Sequence, residues 1–386
     1  MKFIHLSDLH LGKRVYEFSM AEDQRYILKQ ILEIVRDENA DGVLLAGDIY
    51  DKPVPSAEAV QIFDEFLTNL AEMKVAVFCI SGNHDSAERL SFGARLFCGQ
   101  GVHISPVYEG SVEPVRLQDA WGEVCVYLLP FVKPATVRHA LENDEMDAEK
   151  ISSYQDAVSA AVKQMKVDCE LRNVLIAHQF VTGASRCESE EISVGGLDNV
   201  DATVFDDFDY VALGHIHSPQ HVGRECVRYC GTPLKYSFSE AEQEKSVMVV
   251  ELFEKGSTKI RKITLTPLRD LKKIRGTYLE VTARSFYENR NREDYLQVTL
   301  TDEEDIPDGM QKLRIIYPNL MRLEYDNCRT RESRIVEAAE KIEQKSEQEL
   351  FEEFYELQNN QPMSDEQKAF VQKLMGEINE ATKTGY

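Results

Sequence analysis

The sequence predicts an α/β fold, a layered β-sandwich flanked by helices, followed by a small α+β domain and a helical C-terminal tail. Three observations predict it. Short runs rich in Val, Ile and Leu alternate with segments of helical periodicity up to about residue 265, the pattern of stacked sheets and helices. From about residue 270 the apolar positions alternate with polar ones, as in half-buried strands. Beyond residue 331 no strand pattern remains, and apolar residues recur at i, i+3 and i+4.

The elements come in order. Strands are expected at 3–6, 42–45, 75–80, 124–129, 173–176 and 210–213. Between the first two, Tyr26, Ile27, Ile31, Ile34 and Val35 fall at helical spacing, and a second helix over 57–73 turns Val60, Phe63, Phe66, Leu67 and Leu70 inward. In the small α+β domain, strands are expected at 277–281, 295–300 and 321–325, with a polar turn over 302–309. In the tail, Ile335, Val336, Ile342, Leu350, Phe351, Phe354 and Tyr355 make one apolar stripe. Gln361-Pro362 breaks it, Ser364 and Gln367 fit a capping box, and Phe370, Val371, Leu374, Met375 and Ile378 make a second stripe.

Composition bounds the function. A chain of 386 residues with 43% hydrophobic content has two or three domains and a sizeable core. No apolar run approaches the roughly 20 residues of a membrane span. The start MKFIHLSDLH carries polar residues where a signal peptide is apolar, so a cytoplasmic chain is expected. Eight cysteines, none in C-x-x-C, and an isolated Cys226/Cys230 pair read as reduced thiols rather than a zinc site. The net charge of −23 excludes coating by nucleic acid through bulk electrostatics. A nucleic-acid substrate must be held locally.

The residues just beyond each strand are more specific. After the first comes Asp8-Leu9-His10; after the second, Gly47-Asp48-Ile49-Tyr50-Asp51; after the third, Gly82-Asn83-His84-Asp85; after the fifth, His178; after the sixth, Gly214-His215-Ile216-His217. Ligands of α/β sheets sit beyond the carboxyl ends of strands, so these side chains are expected in one cleft. Carboxylates, imidazoles and an amide oxygen without thiolate suit Mn²⁺, Fe²⁺, Mg²⁺ or Zn²⁺. Singly, Asp8, Asp48 and Asn83 read first as helix caps or Asx-turns; jointly they read as metal ligands. Gly47, Gly82 and Gly214 precede ligands and are expected at turns that need positive φ. His5 is expected in the core, and His103, His139 and His221 on the surface.

The ordered set D-x-H, G-D-x-x-D, G-N-H-D, a lone His and G-H-x-H resembles the calcineurin-like metallophosphoesterase superfamily. The wording HLSDLHLGK, GDIYD, GNHDSAERL, AHQFVTGA and VALGHIHSPQ, followed by YCGTPLKYSFSE, resembles its SbcD-like nuclease family up to about residue 265 and more loosely beyond. The resemblance implies one metal on Asp8, His10 and His217, a second on Asn83, His178 and His215, and Asp48 bridging both. It implies two divalent ions, Mn²⁺ first with Mg²⁺ or Fe²⁺ as alternatives, acting on a phosphodiester. It places His84 outside the metal shell as proton donor or phosphoryl contact, with Asp51, or else Asp85, orienting it. Lys13 and Arg14 either touch substrate phosphates or form a solvated pair.

The resemblance further implies three parts: a nuclease domain over 1–265, a DNA-positioning cap over 270–328 and an ATPase-binding tail over 331–384. The basic run 271–275 lies at the start of the cap, either gripping DNA or forming an ordinary hinge. No Walker A sequence is present, so any ATP site lies on another chain, an SbcC-like ATPase. The activity implied is 3′-to-5′ exonuclease and endonuclease cleavage of DNA ends and hairpins, in repair, recombination and replication, by a homodimer within a heterotetramer. The rivals are a related enzyme acting on small phosphodiesters or phosphoproteins, and a non-catalytic scaffold. The segment 193–197 has no assigned role.

Overall fold

A computed structural model describes residues 1–142, 151–190 and 199–327, with scattered positions from 330 to 371 (330, 351–352, 355, 363–364, 367–368, 370–371). The stretch 193–197 and most of the expected tail lie outside the described residues.

Two six-stranded sheets stack face to face. The first contains β1 (Lys2–Leu6), β2 (Gly42–Ala46), β3 (Ala76–Ile80) and β4 (Val102–Ile104). The second contains β5 (Val115–Asp119), β6 (Gly122–Leu128), β7 (Arg172–His178), β8 (Tyr210–Gly214), β9 (Gln220–Val222) and β10 (Arg224–Tyr229). The chain then returns to the first sheet with β11 (Ser246–Leu252) and β12 (Thr258–Thr264). The orders are β12-β11-β1-β2-β3-β4 and β9-β10-β8-β7-β6-β5. Strands β1 to β4 run parallel, as do β6, β7, β8 and β10; β5, β9, β11 and β12 pair antiparallel.

Period-two alternation divides each strand between two cores. Phe3, Leu44, Phe78, Ile80, Val126, Ile176, Tyr210 and Val250 fill the space between the sheets. Ile4, Val43, Leu45, Val77 and Val249 face outward instead, under α1 (Ala21–Asp37) and α2 (Ala57–Glu72). On the far side Tyr127, Leu175, Val211 and Val227 meet α3 (Pro134–Ala140) and α4 (Tyr154–Gln164). Strands buried on both faces read as continuous apolar runs, which is why the sequence shows them so clearly. The helices start where local chemistry allows. The Ser56 hydroxyl caps α2 by accepting from the Ala59 N–H at 3.2 Å, and Ser153 with Asp156 forms a capping box at α4.

The cap is a parallel three-stranded sheet of β13 (Leu271–Gly276), β14 (Tyr295–Leu300) and β15 (Leu320–Tyr325), with α5 (Tyr278–Thr282) and α6 (Gly309–Arg314). The strand expected at 277–281 is instead helix α5. Thr277 accepts from the Glu280 N–H at 3.3 Å and Glu280 accepts from the Thr277 N–H at 2.7 Å, a capping box that outweighs the alternation. The basic run 271–275 is strand β13; Lys272 pairs with Asp294 and Arg275 with Asp326. Leu271, Tyr295 and Met321 join the core beneath α1, so cap and sandwich are packed together. The buried Asp23 of α1 seals the joint, accepting from Arg269 and from the Tyr295 hydroxyl, each at 2.8 Å.

His5 is wholly buried against the Tyr210 hydroxyl at 2.9 Å. His139 and His221 are exposed, whereas His103 is half-buried and stacks on Phe78 with ring centroids 5.2 Å apart. In the tail, Ser364 and Gln367 exchange the two bonds of a capping box at 2.8 and 3.2 Å, and Tyr355 accepts from Gln367. Among the described residues no helix is long and apolar enough to cross a membrane, and Cys226, Cys230 and the other described cysteines are free thiols.

Candidate metal centre

The carboxyl ends of β1, β2 and β3 from one sheet and of β7 and β8 from the other converge on one rim. The loops there are unusual. Asp8, His10, Asp48 and His215 have φ of 53°, 45°, 49° and 101°, the left-handed region that side chains other than glycine rarely adopt. Each such residue costs on the order of 1–3 kcal/mol and persists only where its surroundings over-determine it. Here they do. The Asp8 N–H donates to the Gly47 carbonyl at 3.0 Å, the His10 N–H to the Asp48 carbonyl at 2.9 Å, and the His215 N–H to the Asp8 carboxylate at 2.9 Å.

The three glycines serve two different purposes. Gly47 has the expected positive φ, 83°. Gly82 and Gly214 do not; they are glycines because no side chain fits. A Cβ on Gly82 would lie 2.1 Å from Asp48 Oδ1, and one on Gly214 1.8 Å from the Ala46 carbonyl. Close approach, not turn conformation, is the constraint there.

The side chains named from the sequence meet on this rim. Asp8, His10 and His217 bring ligand atoms together in one group; Asp8, Asp48 and His178 do so in another. The Nε2 atoms of His10 and His217 are 3.2 Å apart. On the other side Asn83 Oδ1 lies 2.9 Å from His178 Nε2 and 3.0 Å from His215 Nδ1. Asp48 sits between, its Oδ2 3.3 Å from His178 Nε2 and 3.7 Å from His10 Nε2. His178 is held in register by donating its Nδ1–H to the Ala46 carbonyl at 2.8 Å, which leaves Nε2 for the cleft.

The electrostatics suit divalent cations. Burial pushes the Asp8 carboxyl up to about 7, with Asp48 adding to the effect and His178 opposing it. Burial also acts against Asp48 as an anion, yet His178, His10 and His84 together hold it well below the usual carboxylate range. For His178, burial lowers and Asp48 raises, and the imidazole ends at about 9. Burial holds His10, His215 and His217 well below the usual range, so they are neutral imidazoles, the form that binds metal. His10 Nδ1 is buried with no hydrogen-bond partner among the described residues. Carboxylates, neutral imidazoles and an amide oxygen crowded together without a cation carry an uncompensated desolvation cost that bound divalent ions remove.

His84 lies beside this group. Its main-chain N–H donates to Asp48 Oδ1 at 2.9 Å, its ring centroid is 4.8 Å from that of His10, and its Nε2 is 4.0 Å from Asp48 Oδ2. The contact expected from the Asp51 carboxylate is made by the Asp51 main-chain carbonyl instead, 3.1 Å from His84 Nδ1. The Asp51 carboxylate takes Lys13 Nζ at 2.8 Å. Arg14 points back into its own hairpin, donating to the Glu17 carbonyl. Asp85 serves the backbone. Its carboxylate accepts from the N–H groups of Ile49, Tyr50 and Gly82 at 2.9–3.0 Å and ties the second and third loops together.

Two supporting residues stand away from the strand ends. Buried Gln24 of α1 donates to the His10 carbonyl at 2.8 Å and accepts from the Gly12 N–H at 3.0 Å. Tyr236 donates to the Leu9 carbonyl at 2.6 Å and packs its ring edge-on to His10. Neither lies at a strand end, so spacing alone points to neither.

Residues 1–219 match the calcineurin-like phosphoesterase family, and residues 267–359 match the family described as the type 5 capsule protein repressor C-terminal domain. The chain is 32% identical to the D subunit of nuclease SbcCD from Staphylococcus epidermidis over 382 residues, 98% of this chain and 99% of that protein. Two solved structures share 11% identity: a dimetal phosphatase from Danio rerio, with a TM-score of 0.40 over 69% of this chain and 98% of that one, and TT1561 of Thermus thermophilus, with 0.37 over 68% and 98%. The chain belongs to the calcineurin-like phosphoesterases and, within them, to the SbcD nuclease family; it is a metal-dependent phosphodiesterase.

Proposed function

From that membership we propose that the chain cleaves DNA with two divalent ions, Mn²⁺ before Mg²⁺ or Fe²⁺, one on Asp8, His10 and His217 and one on Asn83, His178 and His215, with Asp48 shared. The observation that carries this reading is the position of Asp48 Oδ2, within 3.3 Å of an imidazole of one group and 3.7 Å of an imidazole of the other. When bound, such a pair of ions binds the scissile phosphate and lowers the pKa of an attacking water. The protein's own residues do the rest. Asp48, Asp8 and the neutral imidazoles set the ion positions. His84 Nδ1 donates to the Asp51 carbonyl, so that Nε2, beside Asp48, delivers a proton to the leaving oxygen or holds phosphoryl charge. Asp51 thereby orients His84 through its main chain, and its carboxylate positions Lys13, over the Tyr236 ring, for a substrate phosphate. Arg14 is a weaker candidate for the same contact.

The cap over 270–328 positions DNA against the rim, and the tail over 331–384 docks on an SbcC-like ATPase. The name of the relative, one component of a complex, supports a partner of that kind. The assembly is a heterotetramer built on a homodimer of this chain in the cytoplasm, cutting ends 3′-to-5′ and hairpins endonucleolytically. The strongest competitor is an enzyme of small phosphodiesters or phosphoproteins. Incubation of the purified chain with Mn²⁺ and end-labelled single-stranded and hairpin DNA, beside a small phosphodiester and a phosphopeptide, separates them. DNA cut at least roughly tenfold faster per bond is the expected result; a preference for the small diester or the peptide overturns the reading.

A further inference from the structure

The stretch YCGTPLKYSFSE, residues 229–240, contains no ligand of the proposed ions, yet its last residue is a wholly enclosed carboxylate close to them. Glu240 is 0% exposed, and both of its carboxylate oxygens are engaged. Oε1 accepts from the Ser189 hydroxyl at 2.6 Å and from the Tyr236 N–H at 3.3 Å. Oε2 accepts from Lys245 Nζ at 2.5 Å and from the Thr232 hydroxyl at 3.5 Å. Lys245, 5% exposed, donates a further bond to the His217 carbonyl at 2.9 Å. The Ser189 hydroxyl, 2.6 Å from His217 Nδ1, closes the ring. Glu190 accepts from the His217 N–H at 2.7 Å, so side chain, N–H and carbonyl of this one histidine are all held.

Direction matters in this ring. A carboxylate only accepts, so the Ser189 hydroxyl must give its proton to Glu240 and turn a lone pair to His217. His217 Nδ1 must then carry the proton, and Nε2, 3.2 Å from His10 Nε2, keeps its lone pair for the cleft. Lys245 neutralises the buried carboxylate that imposes this order. We propose that Glu240, acting through Ser189, is a positioning residue that fixes His217 as the Nδ1–H tautomer and so sets the affinity of the ion shared with Asp8 and His10. This rests on the metal assignment above.

The test is a binding titration of Mn²⁺ to the full-length, metal-stripped protein, with the His217 tautomer read from ¹⁵N chemical shifts of histidine-labelled protein. Wild type should bind two ions and show Nδ1–H at His217. Ser189→Ala should weaken one of the two ions by about 10- to 100-fold and leave the other unchanged, and Ser189→Thr, which keeps the hydroxyl, should restore it. Glu240→Gln leaves Lys245 buried without its anion and so tests folding as well as position. The double variant Glu240→Gln with Lys245→Met removes both charges, and it should regain the thermal midpoint without regaining the affinity. An Nε2–H tautomer in wild type, or two ions bound at wild-type affinity in Ser189→Ala or in the folded double variant, overturns the role of Glu240 while leaving the metal centre standing. A wild-type protein that binds no Mn²⁺ instead overturns the metal assignment itself.

Discussion

The space between the two sheets and the rim where their strands end are built by the same five strands under opposite rules. Between the sheets, Phe3, Leu44, Phe78, Ile176 and Tyr210 are 0% exposed, and the wholly buried His5 is bonded to Tyr210 and held neutral, at about 3, chiefly by burial. A few residues further on, backbone is bent into the left-handed region, carboxylates are buried, and imidazoles crowd together. The interior gains stability from apolar burial, about 25 cal/mol per Å². The rim spends part of it on strain and desolvated charge. A stiff sandwich is what lets five loops hold a geometry that none of them would keep alone.

The contrast between core and rim is tested most severely at Asp48. Asp48→Ala should lose both ions together and reduce hydrolysis to background, because the shared carboxylate serves both sites. Metal analysis that finds one ion at full occupancy contradicts the shared carboxylate. His84→Ala is next: both ions should stay, and cleavage should fall by about 10²- to 10⁴-fold. A metal-loaded variant that cuts at the normal rate removes His84 from the chemistry.

Phe78→Ala should give the reverse pattern. Truncating this wholly buried ring, which packs edge-on against Phe3, should cost about 3–5 kcal/mol in a denaturant titration. The folded fraction should still bind two ions and cut at the wild-type rate; loss of metal at full folding would mean that core and rim are not separable. The smallest effect belongs to the sandwich edge. Hydrogen bonds from Arg172 hold the Asp119 carboxyl well below the usual range. A depressed carboxyl stabilises the fold above the unfolded-state pKa of about 3.9 and loses that contribution as pH falls through the lower, folded-state value. Wild type should therefore lose more stability than Asp119→Asn as the pH is taken from about 5 to below about 3, and equal losses would show that the pair contributes nothing.

Much of the architecture was legible because both sheets are parallel at their centres and buried on both faces, which makes β1, β2, β3, β7 and β8 continuous apolar runs with polar residues just beyond them. The cap was less legible. The alternation at 277–281 suggested a strand, although Thr277 and Glu280 already spelled a helix start. Alternation over five residues is weak against a capping box, which satisfies two backbone donors at once. Gln24 gave no sign of its position, and although Asp85 and Glu240 stand in motifs that resemble the family, nothing in their local sequence says which groups they clamp.

Read alone, the sequence settles whatever depends on neighbours a few residues apart: which runs form strands, which hydroxyls cap helices, and that acids and histidines stand where strands end. Ser364 and Gln367 belong to that class, and their reciprocal bonds are local. Contacts between residues brought together from far along the chain are set by the fold. Gly214 is a glycine because Ala46 lies against it, the Asp51 carbonyl rather than its carboxylate meets His84, and Glu240 reaches His217 through Ser189. Periodicity encodes the face a side chain takes, whereas the atom it meets there depends on how two sheets stack.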